Sequence, residues 1–357
     1  MSPRASSDPS KLALVAAFGA IYVIWGSTYL AIRFAIETIP PLLMAGIRHA
    51  IAGIVLYVLV RGGIGMSAAP KPQRSHWRSA ALIGFLLLFV GNGGVSWAEQ
   101  TVPSGLAALF VTTVPIWLVL LSWLRRDGAR PGAADTAGVL LGFAGVAALV
   151  AGNGLVGGEP VHAAGAIVLV VASLAWAAGS IHSRHAPLPQ SPLLATAMEM
   201  ICGGAILLLA GLVSGEGGRV SIADISWRSV LALAYLIVFG SLIAFSAYVW
   251  LLRVTTPSRV GTYAFVNPMV AVGLGYAFGG ETLTVRTMVA TVVIVTAVVL
   301  ITIYGRRSPR PTETPAAQRN GTPAPTLIAE NVARLAKADT QGIPTAMAER
   351  RAVGCEC

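Results

Sequence analysis

The chain has 357 residues, of which 55% are hydrophobic and only 11% carry a charged side chain. Its mean hydropathy is +0.73, whereas soluble domains typically contain about 25% charged residues, so the composition excludes a soluble globular protein. The net charge of +10 would suit a nucleic-acid partner, but basic residues also crowd the cytoplasmic loops of membrane proteins, and we expect no nucleic acid to bind.

Ten apolar runs follow one another along the chain. A bilayer core of about 30 Å takes about 20 apolar residues per helix, and long runs without alternating polarity favour helices over strands. The fold class predicted is therefore an all-α polytopic membrane protein. Its ten predicted transmembrane helices are 12–32, 42–60, 79–98, 104–124, 136–152, 163–182, 193–214, 229–252, 258–279 and 286–304.

The distribution of basic residues predicts the orientation of these spans. With the N-terminus in the cytoplasm, and with the C-terminal tail counted only as far as Arg310, the segments on that side carry fifteen Lys and Arg residues, and the opposite side carries four. Positive charge is retained on the cytoplasmic side. We therefore expect a multi-pass protein of a bacterial-type inner membrane with both termini cytoplasmic. These termini are the segment 1–11 and the tail 305–357, which is rich in Pro, Ala and Thr and is predicted to be disordered.

The second half of the chain repeats the first. A Pro-Leu-Leu triplet occurs twice, 151 residues apart, and the same offset takes Trp25 to Trp176 and Gly53 to Gly204. The segment "TVPSGLAALFVTTVP" is matched in the second half by "TTPSRVGTYAFVNP". Agreement of rare tryptophan and proline residues makes a chance match in an apolar sequence implausible.

The repeat predicts the architecture. Each half, 12–152 and 163–304, contains five predicted spans. Because five is odd, the second copy must enter the membrane from the other side. Two inverted five-helix repeats around a central cavity are typical of secondary transporters, which hold substrate between the halves near the midplane.

Three motifs carry a resemblance to a known family. The segment Ile24–Gly53 resembles the opening of the EamA family in the drug/metabolite transporter superfamily, and Gly91–Trp117 is similar to the YedA-type branch of that family. The segment Phe265–Thr284 resembles the ninth span and the Gly-Glu loop that follows it. This resemblance, over about 12–304, implies a ten-helix, two-repeat inner-membrane carrier that exports small metabolites or drugs.

The two halves differ in one loop. The first half has Arg125-Arg126-Asp127-Gly128 where the second has Gly279-Gly280-Glu281-Thr282. A role of the loop glutamate is therefore expected in the second half only.

Two ionisable residues, Arg48 and Glu199, lie inside predicted spans and are related by the same offset of 151 residues. A charge at the centre of a spanning helix costs about 2.5–3.5 kcal/mol on insertion scales, so such a residue usually faces the bundle interior or water. Three interpretations stay open: a direct ion pair between them, a substrate or proton site at Glu199, and a glutamate satisfied locally or near the inner interface.

Helix-breaking residues are predicted to line the transport path. Gly91 and Gly93 weaken the third span, and Pro115 and Pro268 remove hydrogen bonds from the fourth and ninth spans. Broken backbone at membrane depth is tolerated where protein or a cavity covers it. The polar and aromatic residues expected to line the substrate cavity are Trp25, Thr28, Asn92, Thr113, Trp176, Tyr263 and Asn267.

The first span and a G-x-x-x-G motif in the fifth span each have two interpretations. Trp25 and Thr28 share a helical face in "YVIWGSTYLAIRF" and would suit an orienting pocket. Alternatively, Trp25 fills a packing gap and the neighbouring hydroxyls bond back to the preceding turn. Gly138 and Gly142 form G-x-x-x-G, which permits a close helix contact either inside the bundle or in a homodimer.

The sequence contains no motif for hydrolysis or nucleotide binding, so an enzyme, a cofactor and a metal site are not expected. The predicted function is a secondary active transporter that exports small metabolites, amino acids or drugs by alternating access. Its partners would be a small-molecule substrate and the bilayer, with a coupling proton left open. The alternative is a non-transporting membrane scaffold or sensor on the same fold.

Overall fold

The structure is a computed structural model that describes residues 10–63, 69–124, 131–150, 162–255, 260 and 262–304. These residues form helices, and no strand occurs among them. Most of the predicted N-terminal segment and the whole of the tail 305–357 lie outside the described residues.

Eight helices in the described ranges are long and apolar enough to cross a membrane, and two further apolar helices are shorter. The eight are α1 (Lys11–Ala35), α2 (Pro41–Gly62), α3 (Arg74–Ala98), α4 (Ser104–Leu124), α6 (Ala163–Ser183), α7 (Pro192–Val213), α8 (Trp227–Tyr248) and α10 (Val285–Tyr304). The shorter helices are α5 (Ala133–Ala148) and α9 (Tyr263–Phe278), and they correspond to the predicted spans 136–152 and 258–279. The part of the chain that the structure describes is thus all-helical, and the chain is a polytopic membrane protein.

Helix α4 is interrupted, and this corrects the expectation for Pro115. The helix consists of Ser104–Val111 and Val114–Leu124, with a turn between them. Pro115 is therefore the second residue of the latter segment, where its missing N–H would have had no helical partner in any case. Pro268, by contrast, lies in the interior of α9.

Two helices contain long π-helical stretches at equivalent positions. These are Phe85–Gly93 in α3 and Leu236–Ile243 in α8, and they begin 151 residues apart. Gly91 and Gly93 fall in the first stretch, so the helix changes its hydrogen-bond pattern there rather than ending. π-Helical turns inside α-helices often mark functional sites.

Helices α2 and α7 cross at glycines that make reciprocal contacts. A Cβ atom built on Gly53 would lie 2.8 Å from the backbone nitrogen of Ile201, and one built on Gly204 would lie 2.6 Å from that of Ala50. Real Cβ contacts are essentially never shorter than 3.0 Å. The offset of 151 residues converts Gly53 into Gly204 and Ala50 into Ile201, so the contact is made twice with the roles of the helices exchanged.

The G-x-x-x-G motif of α5 is used inside the chain. A Cβ atom on Gly138 would lie 2.5 Å from Cγ1 of Ile301, and one on Gly142 would overlap Cδ1 of Ile116. These neighbours belong to α10 and α4. Of the two contacts that the sequence left open, the motif makes the one within the bundle.

The largest apolar core joins helices from both halves of the chain. It includes fully buried side chains of α1, α4, α6, α8 and α10, namely Ile32, Phe110, Leu169, Leu236 and Ile294. This core fixes α1, which carries Trp25, against helices of both halves.

Candidate functional site

Trp25 lies in a group of aromatic rings from α1, α8 and α9, here called the aromatic cluster. Its ring centroid is 5.2 Å from those of Tyr248 and Tyr263 and 6.1 Å from that of Phe245. The indole N–H donates to the carbonyl oxygen of Gly240 at 3.1 Å. That carbonyl belongs to the π-helical stretch of α8, whose altered hydrogen-bond pattern lets a side chain reach it.

The hydroxyls beside Trp25 bond back into their own helix. The Ser27 hydroxyl donates to the carbonyl of Ile24 at 2.8 Å, and the Thr28 hydroxyl donates to that of Trp25 at 2.6 Å. Ser27 also shares a hydrogen bond of 2.6 Å with the Tyr235 hydroxyl. This is the geometry that the packing interpretation describes, and Thr28 is buried.

Asn267 ties α9 to α1. With its amide oriented so that the nitrogen faces acceptors, that nitrogen lies 3.1–3.2 Å from the carbonyl oxygens of Ile21, Tyr22 and Tyr263. Ile21 and Tyr22 belong to a π-helical turn of α1, Ala20–Ile24. Asn267 therefore acts as a hydrogen-bond donor to an irregular turn next to Trp25.

The remaining predicted cavity residues are dispersed. The Trp176 ring lies 3.0 Å from the position of a Cβ atom on Gly91, so it packs on the π-helical stretch of α3. Thr113 is buried and donates to the carbonyl of Phe110 at 2.6 Å. Asn92 is half-buried in α3. Trp176 is not among the described rings of the aromatic cluster.

Arg48 is buried inside α2 and faces α8. Its side chain is only 6% exposed, and its Nε donates to the hydroxyl of Ser241 at 3.0 Å. Its Nη2 lies 3.2 Å from the position of a Cβ atom on Gly240. Arg48 and Trp25 therefore meet at the same residue of the α8 π-helical stretch.

The direct ion pair between Arg48 and Glu199 is absent from the described salt bridges. Arg48 faces α8, whereas the Glu199 backbone packs against Gly84 of α3, whose Cβ position lies 2.6 Å from the Glu199 carbonyl oxygen. The described residues thus show no ion pair between Arg48 and Glu199, and the structure does not support that interpretation.

Glu281 lies in the loop between α9 and α10 and connects that loop to α1 and α4 at one end of the bundle. Its Oε1 accepts hydrogen bonds from Arg33 Nη1 at 3.1 Å and from the Ser104 backbone N–H and hydroxyl at 2.6 Å each. Its Oε2 accepts from the Gly105 N–H at 3.0 Å. A carboxylate at the first N–H groups of a helix is favoured by unpaired donors and by the helix dipole. We call this arrangement, formed by Arg33, Ser104, Gly105 and Glu281, the Glu281 clasp.

A second loop carboxylate caps another helix in the same way. Glu216 accepts from the backbone N–H groups of Leu42 at 3.3 Å and Leu43 at 2.9 Å, at the start of α2. Glu216 and Glu281 both come from the second half of the chain and both hold helices of the first half.

Glu99 is a functional candidate that the sequence did not reveal. It directly follows α3, is 4% exposed, and neither carboxyl oxygen has a hydrogen-bond partner among the described residues. Burial raises the pKa of Glu99 well above its usual range, and the Glu281 carboxylate raises it further, while Arg33 and Arg48 act in the opposite direction. Its position after an apolar run suggested a loop residue, and only the tertiary fold buries it.

A model of the EamA-like transporter family matches this chain twice, over residues 11–151 and 163–303. The chain belongs to the EamA-like transporter family. It is therefore a membrane transporter rather than an enzyme. The two matches cover successive parts of the chain and include Trp25, Glu99 and Glu281.

Relatives from several bacteria support the same membership. The chain is 42% identical to the uncharacterized inner membrane transporter YedA of Escherichia coli (strain K12) over 295 residues, which is 82% of this chain and 91% of YedA. It is 25% identical to the uncharacterized transporter YvbV of Bacillus subtilis (strain 168), covering 82% of this chain and 92% of that protein. A solved crystal structure with 20% identity superposes with a TM-score of 0.56 over 84% of this chain and 100% of the other, a likeness of fold alone.

Proposed function

We propose that this EamA-like chain is a secondary transporter that exports small metabolites, amino acids or drugs across a bacterial-type inner membrane by alternating access. The observation that carries this proposal is the junction at Gly240, where a buried arginine and the aromatic cluster meet inside an apolar bundle. Arg48 supplies a fixed positive charge, and Trp25 with Tyr248 and Tyr263 supplies apolar faces. Such a site suits a small solute with both an acidic group and an apolar part.

Alternating access requires two units that can move against each other. The reciprocal contacts of Gly53 and Gly204, the paired π-helical stretches of α3 and α8, and the two family matches support ten spans arranged as two inverted repeats. In that arrangement α2 and α7 form the axis between the halves, and solute moves along the faces that they share with α3 and α8.

The orientation of the chain is open to a direct test. The count of fifteen basic residues against four supports cytoplasmic termini and an external position for the Glu281 clasp. Reporter fusions after Arg74 and Arg306 are expected to be active in the cytoplasm, and fusions after Gly154 and Gly218 in the periplasm. Cytoplasmic activity at Gly154 would contradict the arrangement of five spans before it and five after it.

Transport itself is tested by growth in the presence of toxic amino acids and amphipathic drugs. Overexpression of the chain is expected to raise the tolerated concentration of at least one of these compounds, and Trp25→Ala is expected to abolish the gain. Loss of a buried aromatic anchor typically costs about 2 kcal/mol or more of binding free energy, or about thirtyfold in affinity.

Trp227→Ala is the matched control, because Trp227 begins α8 and its side chain is 72% exposed. It removes the same side chain from a peripheral position and should leave the protection intact, with both variants present in the membrane at equal amounts. If overexpression raises tolerance to none of the compounds, and the purified protein in liposomes transports none of them, the proposed transport function is wrong. The alternative function, a non-transporting scaffold or sensor, then takes its place.

A further inference from the structure

Glu99 and Glu281 are two carboxyl groups that act on the same arginine. Glu281 holds Arg33 directly, at 3.1 Å. Glu99 is buried and directly follows Ala98, which packs in the same apolar core as Ile32 and Ala35 of α1. Arg33 and Arg48 each stabilise its ionised form, whereas Glu281 destabilises it. The charge of Glu99 also acts on one other titratable group, the Tyr29 hydroxyl of α1. Charged groups from α1, α2 and the α9–α10 loop thus all act on the charge of Glu99.

The hydrogen bonds of the two glutamates are very unequal. Glu281 accepts four, from Arg33, Ser104 and Gly105. Glu99 accepts none from the described residues, although both of its oxygens are buried. Burying an ionised carboxylate without hydrogen-bond donors is strongly unfavourable, and such a group takes up a proton instead. With the Glu281 clasp closed as observed, the neutral form of Glu99 is therefore favoured.

We propose that Glu99 is a proton-exchange site that controls the Glu281 clasp, neutral when the clasp is closed and ionised when it is open; this inference rests on the proposed transport function. In opening, the O–H bond of the Glu99 carboxyl group breaks and the proton passes to water. The resulting carboxylate pairs with Arg33, which leaves Glu281. Glu281 then retains only the N–H and hydroxyl donors of α4, and the α9–α10 loop is free to move.

The direction of the pH dependence follows from this linkage. In the closed state burial raises the pKa of Glu99, and the Glu281 carboxylate raises it further, so a proton on Glu99 stabilises that state. Raising the pH therefore favours the open state, and lowering it favours the closed state. In an exporter driven by an inward proton gradient, the Glu281 clasp would close when Glu99 holds the proton and would open outward when Glu99 is ionised.

A buried side chain below the α9–α10 loop can report the opening. Leu30 is buried, and its Cδ1 lies 2.9 Å from the position of a Cβ atom on Gly279 in that loop. Thr282 is exposed on the same loop. The natural cysteines Cys202, Cys355 and Cys357 are first replaced. A small membrane-impermeant thiol reagent is then used, without substrate, to measure the labelling rates of Leu30→Cys and Thr282→Cys. The labelling ratio, which is the rate at Leu30→Cys divided by the rate at Thr282→Cys, cancels the ordinary effect of pH on thiol reactivity.

The labelling ratio is expected to rise at least about tenfold between about pH 5.5 and about pH 9, a range above the ordinary glutamate pKa of about 4.3. With E99Q the ratio should stay at its low acidic value throughout, and with E281Q it should be high throughout. A parallel infrared titration should show a protonated carboxyl band that is lost with rising pH and is absent from E99Q.

Three results would overturn the proposal: a flat ratio in the protein that retains Glu99, an unchanged rise in E99Q, or loss of the rise in E199Q instead. If E99Q does not fold, E99D serves in its place and should shift the midpoint of the rise, and an unshifted midpoint counts against Glu99. Because labelling needs no solute, failure here leaves the growth and liposome results intact, and failure of transport does not alter the labelling.

Discussion

Replacing Gly204 with alanine is expected to lower the melting temperature of the purified protein by roughly 5–10 °C and to reduce its yield from the membrane. The added methyl group would lie 2.6 Å from the backbone nitrogen and 3.0 Å from the Cα atom of Ala50. Backbone atoms cannot rotate away as a flexible side chain can, so α2 and α7 must separate. Overpacking of this kind typically costs about 1–3 kcal/mol.

Gly273→Ala is the control for this substitution. Gly273 lies in the interior of α9, and a Cβ atom there meets nothing within 4 Å. Alanine favours helix over glycine by about 1 kcal/mol, so this variant should melt at the same temperature or slightly higher. Gly53→Ala, which meets Ile201 at 2.8 Å, should behave like Gly204→Ala. Equal melting temperatures for Gly204→Ala and Gly273→Ala would contradict the observed crossing.

Glu281→Gln is expected to loosen the start of α4 without unfolding the chain. The amide keeps the size of the side chain but removes the charge that attracts Arg33 and the first N–H groups of the helix. Hydrogen bonds to a charged group contribute about 1.5–3 kcal/mol each, and the Arg33 side chain is 36% exposed, so we expect a net loss of about 2 kcal/mol. Amide hydrogen exchange at the start of α4 should accelerate about thirtyfold.

Glu216→Gln is the matched control, because Glu216 caps α2 with the same chemistry. It should accelerate exchange at Leu42 and Leu43 and leave the start of α4 unchanged. If Glu216→Gln accelerates exchange in α4 as much as Glu281→Gln does, the effect is a general loss of stability and the clasp is not a local unit.

The positions of the helices could be predicted from the sequence because apolar runs of bilayer length have few alternatives in lipid. The offset of 151 residues likewise identifies Gly53 and Gly204 as equivalent positions, in agreement with their reciprocal contacts. Pro115 was expected to disturb the fourth span, but the place of the break, just ahead of the proline, could not be predicted, since proline suits both a helix interior with a kink and the first turn of a new segment.

The charged groups were the hardest to predict. Glu99 and Glu281 are 182 positions apart, and no local pattern indicates that both act on Arg33. Arg48 was identified because a charge interrupts an apolar run, whereas Glu99 stands at the end of one and looks like an ordinary loop residue. Hydropathy detects a charge within a span, but the burial of a charge at its end depends on packing between distant segments.

The measurement that bears most directly on alternating access is solute flux with the clasp locked. In protein without its three natural cysteines, Arg33→Cys and Glu281→Cys are joined by a short cleavable crosslinker, and flux of a compound found in the growth screen is followed in liposomes. Flux is expected to stop on crosslinking and to return on cleavage, while each single cysteine variant stays insensitive to the reagent. Undiminished flux through fully crosslinked protein would contradict opening of the Glu281 clasp during transport.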